Sequence, residues 1–414
     1  MSTDRVFETA KAVLKSNWRE GFSERYQLDY GYTAPSLAEM KYPHQWLWDS
    51  CFHAIAWATI EPSRAKKELI TLLSRASHRG FLPHMLVWGP DSLHGTVYRR
   101  FFFGTEHSNM FIQPPVIAIA LEQVYQVTGD RDFLEQTLPT ALKVYRWLAR
   151  ERDPDGDGLI SLINPVESGA DQSPVFDPLL KINKPSSRAL YWALHWNYLR
   201  CRFLRWNLRE IQRYGLFNIE EIGFNAILAK ALRSLFRLLE EVGDRREAEK
   251  IRLWADVAET SIMGKCFDPE TGLFYSLAHR SERMIREPTY ASLMPLLLEG
   301  LDKPMVDSLI SNLTNEDKFW LPYPVPSVPK SSSQFDPSGQ IVIWRGPAAP
   351  PVNLLLHMAL KHHGYHDLAK ELVSRNLRSV ARYGCFEFID PTNGVGLRTR
   401  DQSWGAAVAV HFLT

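Results

Sequence analysis

The chain has 414 residues, and 45% of them are hydrophobic, enough to form a large buried core. Its 48 basic and 47 acidic side chains leave a formal net charge of +1, which argues against a nucleic-acid or anionic-membrane surface. No apolar run could span a bilayer, the N-terminus does not resemble a signal peptide, and the four cysteines form no CxxC pair. We therefore expect a cytoplasmic protein with buried thiols.

Helical periodicity dominates the chain. Residues 131–152, for example, place Leu134, Leu138 and Leu142 on one stripe of an amphipathic helix. Only GLFYSL (272–277) and GQIVIW (339–344) resemble short hairpin strands. Helices are predicted at 4–19, 49–60, 63–78, 112–128, 131–152, 186–213, 219–242, 244–263, 289–300, 349–363, 366–382 and 402–413.

A turn of the form Asp-Pro-x-Gly or Asp-Pro-x-x-Gly recurs at Asp153, Asp268, Asp336 and Asp390. Proline presets φ and glycine permits a positive φ, so each turn favours a tight reversal. Their spacing is close to multiples of about 55 residues, the size of a helical hairpin with its loops. This repeat and the helix count predict an all-α toroid of six inner and six outer helices, with short β-hairpins in the loops.

No Ser/Gly linker, charge block or low-complexity segment divides the chain. We therefore predict a single domain over residues 1–414. The segments near 18–42 and 321–345 are rich in loop residues and are predicted to form lids over a site.

The first chemical motif is YPHQWLWDS, from Tyr42 to Ser50. Asp49 either caps a helix or accepts hydrogen bonds from sugar hydroxyls, with Trp46 and Trp48 as core residues or as pocket walls. The next, DPDGDGL at 153–159, resembles the start of a calcium loop, but Asn164 stands where an EF-hand has its bidentate glutamate. A plain turn between helices is the favoured interpretation, and a structural Ca²⁺ at this loop stays open.

The stretch NPVESGADQSP carries Glu167 and Asp171 in a sequence poor in helix formers, so a loop positions both acids. Further along, Arg345 either orients a carboxylate, binds a substrate or forms a surface salt bridge. Glu387 lies between two phenylalanines, which makes it costly to bury without a partner. The chain has no HExxH, GxSxG or glycine-rich phosphate loop, so zinc peptidases, serine hydrolases and nucleotide enzymes have no support.

Six motifs in this order resemble glycoside hydrolase family 63, whose fold is the (α/α)6 barrel. They are YPHQWLWDS, GFLPHM, IQPP, ESGADQSP, WRGP and FEFIDPTNGVGL followed by DQSW, and they extend from Tyr42 to Trp404. The small size resembles the bacterial mannosylglycerate and glucosylglycerate hydrolases of that family. Two positions depart from the usual pattern: Ala349 replaces a tryptophan after RGP, and Ile343 replaces a frequent aromatic before Trp-Arg.

The resemblance implies that Asp171 is the general acid and Glu387 the general base of an inverting α-glycosidase, which needs no metal or cofactor. In such enzymes the two carboxyl groups stand roughly 6.5–9.5 Å apart, to admit the attacking water. Arg205 resembles the arginine that meets the glycerate carboxylate. Substrate-binding positions implied by the resemblance are Tyr42, Trp46, Trp48, Asp49, Gln113, Arg205, Trp344, Arg345 and Gln402.

The expected substrate is a small-molecule glycoside, 2-O-α-mannosyl-D-glycerate or 2-O-α-glucosyl-D-glycerate, cleaved to free hexose and glycerate. Two alternatives stay open. One is an exo-acting α-glucosidase on short oligosaccharides, and the other is a sugar-binding toroid without activity. No nucleic-acid or membrane partner is expected, and a homo-oligomer is left open.

Overall fold

Helices that are buried almost all round alternate along the chain with helices that bury a single stripe. The computed structural model describes residues 3–37, 42–89, 91–340 and 342–414. The helix Leu47–Ile60 is buried without a break from Leu47 to Ala58. In contrast, Arg131–Arg152 buries the stripe that contains Leu134, Leu138 and Leu142. An apolar helix needs partners on all sides, so the first kind forms the interior and the second kind surrounds it.

Fifteen α-helices are present in the described part of the chain. They are α1 Thr3–Ser16, α2 Leu47–Ile60, α3 Pro62–Leu73, α4 Leu93–Phe103, α5 Ile117–Thr128, α6 Arg131–Arg152, α7 Asp177–Leu180, α8 Ser187–Phe203, α9 Leu208–Arg213, α10 Ile222–Val242, α11 Arg245–Ser261, α12 Lys303–Leu313, α13 Pro350–His362, α14 His366–Tyr383 and α15 Ser403–Leu413. A 3-10 helix, Tyr290–Leu297, occupies the place of one further interior helix.

These elements close into a ring of six hairpins. In the inner layer α2, α5, α10, the 3-10 helix Tyr290–Leu297, α13 and α15 pack each against the next, and α15 returns to α2. In the outer layer α3, α6, α11, α12, α14 and α1 pack against their inner partners. The predicted toroid of six inner and six outer helices is confirmed. One apolar cluster extends from Val6 to Val410 through this ring.

Short antiparallel strands occupy the loops. They are β1 Trp18–Ser23, β2 Leu28–Thr33, β3 Gln45–Trp46, β4 Met85–Leu86, β5 Ile219–Glu220, β6 Phe267–Asp268, β7 Leu273–Phe274, β8 Ser276–Ala278, β9 Arg283–Ile285, β10 Phe386–Ile389 and β11 Gly396–Arg400. The pairs are β1–β2, β3–β4, β6–β7 and β10–β11, and β5, β8 and β9 form a three-stranded sheet.

Several predicted elements differ from the structure. The segment GLFYSL contains β7 and β8 as expected, but no strand forms among the described residues of 339–344. The helix predicted at 186–213 is interrupted, because Arg205 and Trp206 have positive φ angles of 53° and 59°. The helices α4, α7 and α12 were not predicted.

All four cysteines are free and buried, as expected. A search of the described residues found no helix long and apolar enough to cross a membrane. The two predicted lid segments include residues 38–41 and 341, which lie outside the described residues. Elsewhere these segments contain the β1–β2 hairpin and cavity-lining Pro35, Tyr42, Ile343 and Trp344. Their role as lids stays a prediction.

Candidate active site

A cavity of about 470 Å³ lies where the N-terminal ends of several inner helices meet. Trp48 and Asp49 are in the first turn of α2, Gln113 precedes α5, and Gln402 caps α15. Nine of the eleven predicted site residues line this cavity: Tyr42, Trp46, Trp48, Asp49, Gln113, Asp171, Trp344, Glu387 and Gln402. The ring therefore brings together residues that are far apart in sequence.

Asp171 follows a short 3-10 helix, Pro165–Ser168, and is partly exposed to the cavity. Desolvation raises the pKa of its carboxyl group to about 6, and the nearby Glu387 carboxylate adds to this increase. A hydrogen bond from the Gln172 side chain acts in the opposite direction. Asp171 therefore holds its proton to a higher pH than an ordinary aspartate does, as suits a general acid.

Glu387 lies on β10 and is 7% exposed. Its Oε2 accepts a 2.7 Å hydrogen bond from Thr399 Oγ1 and a 3.3 Å hydrogen bond from Thr399 N, so β11 orients the carboxylate. Trp404 Nε1 donates to the backbone oxygen of Glu387 at 2.9 Å. Both bonds from Thr399 go to Oε2, and Glu387 lines the cavity, where Oε1 can meet a ligand or a water.

Asp49 is a third acid in the cavity, and it is 4% exposed. Desolvation is the main cause that raises the pKa of Asp49 to about 7; His53 acts in the opposite direction, and Glu387 contributes to the increase. Behind the cavity, His53 bridges Glu68 at 3.0 Å and Ser403 at 2.7 Å. This Ser-His-Glu arrangement is fully buried and does not line the cavity, so it anchors α2, α3 and α15 and cannot act as a nucleophile.

Aromatic rings form the cavity walls. Trp46 stacks on His84 with ring centroids 5.1 Å apart, and Trp48 meets Trp404 edge-on at 5.9 Å. Trp344 packs edge-on against Phe388 at 5.1 Å. Trp46 Nε1 is buried and has no hydrogen-bond partner among the described residues. An unpaired donor beside flat apolar faces suits a ligand with hydroxyl groups and an apolar ring face.

Glu167, four residues before Asp171, does not line the cavity. It is fully buried and forms a bidentate pair with Arg152, at 2.6 and 2.9 Å. Its oxygens also accept from the backbone N–H groups of Ile112 and Ile163. Glu167 therefore holds the loop that positions Asp171.

Gly169 lies between these two acids and has a positive φ of 77°. A Cβ atom at this position would lie 2.7 Å from the Trp48 ring. Glycine therefore permits both the turn and the close approach of the cavity wall.

Two of the predicted binding residues lie elsewhere. Arg345 is buried outside the cavity lining, with Asp177 at 2.7 and 2.8 Å and the backbone oxygen of Gln172 at 3.1 Å. It therefore orients a carboxylate and fixes the segment after Asp171, one of the alternatives left open by the sequence. Arg205 is exposed and does not line the cavity, because its positive φ places it in a turn after α8.

A different arginine, Arg99 on α4, lines the cavity, and it is the sole Lys or Arg among the described lining residues. Arg99 Nη2 lies 2.5 Å from Asp91 Oδ2, and Nε donates to the backbone oxygen of Glu106 at 2.6 Å. Sequence reasoning missed it because α4 was not predicted. The sequence does contain two signals of this helix: Ser92, which is its N-cap, and Gly104, which follows its last residue.

Other unpredicted lining residues come mainly from α4, α8 and the loops. They include Tyr98, Phe103 and Tyr198, together with His84, Asn109, Phe111 and Gln172. Burial lowers the pKa of His84 to about 4, so its imidazole is neutral at pH 7. Ile343 also lines the cavity, whereas the unusual Ala349 is buried before α13 outside it.

An acid with a raised pKa and a second carboxylate share this aromatic cavity, which can support acid–base hydrolysis of a glycosidic bond. The helical ring and this cavity define the class of toroidal glycoside hydrolases. The chain belongs to the mannosylglycerate hydrolase MGH1-like glycoside hydrolase domain family, whose model matches residues 42–405.

Individual relatives agree with this assignment. The mannosylglycerate hydrolase of Thermus thermophilus is 30% identical over 405 residues, covering 89% of this chain and 94% of that protein. The glucosylglycerate hydrolase of Mycolicibacterium hassiacum is 26% identical, covering 92% and 94%. The crystal structure of a GH63 mannosylglycerate hydrolase from Thermus thermophilus, in complex with Tris and D-glycerate, has a TM-score of 0.86 at 28% identity, covering 98% and 99%.

Proposed function

We propose that this protein is an inverting α-glycosidase that cleaves 2-O-α-mannosyl-D-glycerate or 2-O-α-glucosyl-D-glycerate into hexose and glycerate. The observation that carries the proposal is the pair Asp171 and Glu387 in one cavity, with the pKa of Asp171 raised to about 6. The names of the relatives supply the substrate class.

In this mechanism Asp171 donates its proton to the glycosidic oxygen as the bond to the anomeric carbon breaks. Glu387 removes a proton from a water that attacks the same carbon from the opposite face. Thr399 fixes one oxygen of Glu387, which leaves the other for the water. The proton lost by Asp171 and the proton gained by Glu387 balance after exchange with solvent.

Binding of the sugar is assigned to the cavity floor and walls. Asp49 accepts hydrogen bonds from hydroxyl groups of the sugar, and Trp46 Nε1 donates a hydrogen bond to one hydroxyl oxygen. The indoles of Trp48 and Trp404 exclude water from the reacting bond. Gln402 keeps Trp404 in place, since its Oε1 accepts from Trp404 N at 2.8 Å.

The carboxylate of the leaving group needs a cation, and we assign that role to Arg99 in place of the exposed Arg205. Arg99→Met should raise KM for the glycerate glycosides while changing kcat less. Arg100→Met is the matched control, because Arg100 is 76% exposed on the same helix. An unchanged KM in Arg99→Met would contradict the assignment.

Turnover measurements on defined substrates test the proposal as a whole. Purified protein is incubated with mannosylglycerate, glucosylglycerate and maltose, and released hexose is measured. We expect hydrolysis of a glycerate glycoside, and losses of at least about 10³-fold in Asp171→Asn and in Glu387→Gln. Preference for maltose would favour the oligosaccharide α-glucosidase, and no release from any substrate would favour the inactive sugar-binding toroid.

We further propose that residues 1–414 act as one catalytic unit, in the cytoplasm. The continuous apolar cluster from Val6 to Val410 supports the first statement. Four free, buried cysteines support the second, because thiols persist in reducing compartments.

Self-association is proposed for the outward face of α4 and α8. Trp192, Trp196 and Phe203 follow one stripe of α8 at helical spacing and are 63%, 57% and 87% exposed. Val97 and Phe101 extend the face on α4 and are each 57% exposed. Aromatic side chains bury about 150–250 Å² each, so this face approaches the roughly 800 Å² per partner of a standard interface. A second copy of the chain is the proposed occupant.

A further inference from the structure

The loop Asp153–Leu159 gathers three carboxylates that the proposed catalytic cavity does not use. Asp153, Asp155 and Asp157 each place an oxygen within 4.8 Å of the others. Their spacing matches positions 1, 3 and 5 of a calcium loop, and Gly158 stands at position 6, where such loops need glycine. Gly158 has a φ of 87°, and a Cβ there would lie 2.9 Å from Ala258 N.

The glutamate that the sequence lacks at position 12 is supplied from another part of the chain. Asn164 is buried and bonds to Asn197, so it is not available. However, Leu162 forms an antiparallel bridge with Ile219, with N–O distances of 2.7 and 3.0 Å. This bridge brings Glu220 beside the loop, where its Oε1 accepts from Ser161 Oγ at 3.2 Å.

Glu220 provides an independent sign of a ligand. Its side chain is 6% exposed, and its Oε2 has no hydrogen-bond partner among the described residues. A ligand oxygen of Glu220 lies within 4.8 Å of oxygens of Asp157 and Glu282. A buried carboxylate oxygen without a partner is costly unless a cation or a proton is present.

The surrounding charges do not supply a sufficient counterion. Lys265 Nζ lies 2.8 Å from Asp157 Oδ2 and 2.8 Å from Glu282 Oε1, so it pairs with two of the acids. In the described part of the chain, Lys265 is the one ion-pair partner of two neighbouring groups of acids, which together contain Asp153, Asp155, Asp157, Glu220 and Glu282.

We propose that Asp153, Asp155, Asp157 and Glu220 bind one divalent cation with the preferences of Ca²⁺. Hard oxygen ligands in a glycine-containing loop suit Ca²⁺ better than Mg²⁺, which demands strict octahedral geometry. This inference does not rest on the proposed glycosidase function.

A cation here would join the end of α6 to β5 and α11. Asp157 O accepts from Ser261 Oγ at 2.7 Å, which ties the loop to the last residue of α11. Arg152, immediately before the loop, pairs with Glu167 under the Asp171 segment. The cation would therefore stabilise the support of that segment against heat.

Terbium luminescence tests the site directly, because Trp254 Nε1 donates to Gly158 O at 3.2 Å and can sensitise bound Tb³⁺. The full chain is treated with EDTA, desalted and titrated with Tb³⁺ under 280 nm excitation. We expect saturable emission at one equivalent, displaced by Ca²⁺. At a hundredfold excess over Kd, Ca²⁺ should raise Tm by about 3 °C.

Asp155→Asn and Glu220→Gln should each lose the terbium signal and the Ca²⁺ shift in Tm. Glu220→Gln is the conservative variant of the two, since it keeps the size and shape of the side chain and removes a carboxylate oxygen that a cation would need. Glu151→Gln is the matched control, because Glu151 forms an exposed pair with Arg150 on the same helix end. Absence of sensitised emission in the wild type, or an unchanged Ca²⁺ response in both site variants, would overturn the proposal.

Discussion

Asp171 must be protonated to act as the acid, so its pKa sets one limb of the pH profile. Desolvation and Glu387 raise that pKa to about 6. The protonated fraction is therefore high below pH 6 and falls about tenfold per pH unit above it. We expect kcat/KM on a glycerate glycoside to fall with that slope between pH 7 and 9. A flat profile across this range would contradict the role of Asp171.

At the residue scale, both proposed catalytic acids could be predicted only because six motifs occur in the order that resembles one family. Neither Asp171 nor Glu387 has a local pattern that separates it from a solvated turn or strand acid. Motif order could not predict which arginine lines the cavity, because that depends on the direction of the backbone at Arg205 and Arg99. A positive φ turns Arg205 outward, and helix α4 brings Arg99 inward.

At the element scale, the segment 161–171 is held by the pair Arg152–Glu167. Glu167→Gln would leave Arg152, which is 2% exposed, without its carboxylate partner. Breaking such a buried pair costs about 3–5 kcal/mol, so we expect a clear fall in Tm by calorimetry. Residual turnover should nevertheless exceed that of Glu387→Gln, since Glu167 does not line the cavity.

The exposed pair Arg150–Glu151 is the control for this measurement. Glu151→Gln should change stability by less than about 1 kcal/mol, because solvent screens exposed ion pairs. If Glu167→Gln has the Tm of the wild type, then Glu167 does not support the loop.

Two elements were missed or misassigned in the sequence for physical reasons. Helix α4 has no single apolar stripe, because Phe103 faces the cavity while Val97 and Phe101 face solvent. The predicted helix at 289–300 contains Pro295, which cannot donate a backbone hydrogen bond, and the structure has a 3-10 helix there.

At the scale of the whole molecule, the toroid was predictable because its turns have a chemical signature. Asp268, Asp336 and Asp390 each accept a hydrogen bond from the backbone N–H two residues further on. Because an Asp side chain stabilises each of these reversals, every such turn can be recognised in the sequence by its Asp-Pro motif. The spatial convergence of nine predicted residues could not be derived from spacing, since it depends on closure of the ring.

The exposed face of α4 and α8 gives a prediction about assembly. We expect the protein to be a dimer by light scattering at micromolar concentrations, because exposed aromatic side chains of this extent are rare on monomers. The double variant Trp196→Asp and Phe203→Asp should be monomeric. Leu253→Asp is the control, since Leu253 is 50% exposed on α11, and it should stay dimeric. A monomeric wild type would contradict the proposed interface.

The stereochemistry of the released sugar tests the central claim most directly. Proton NMR is recorded during the first minutes of hydrolysis of an α-linked glycerate glycoside, before the hexose mutarotates. Attack by a Glu387-activated water opposite the bond protonated by Asp171 predicts that the β-anomer forms first. If the α-anomer forms first, the reaction retains configuration, and the proposed roles of Asp171 and Glu387 are wrong.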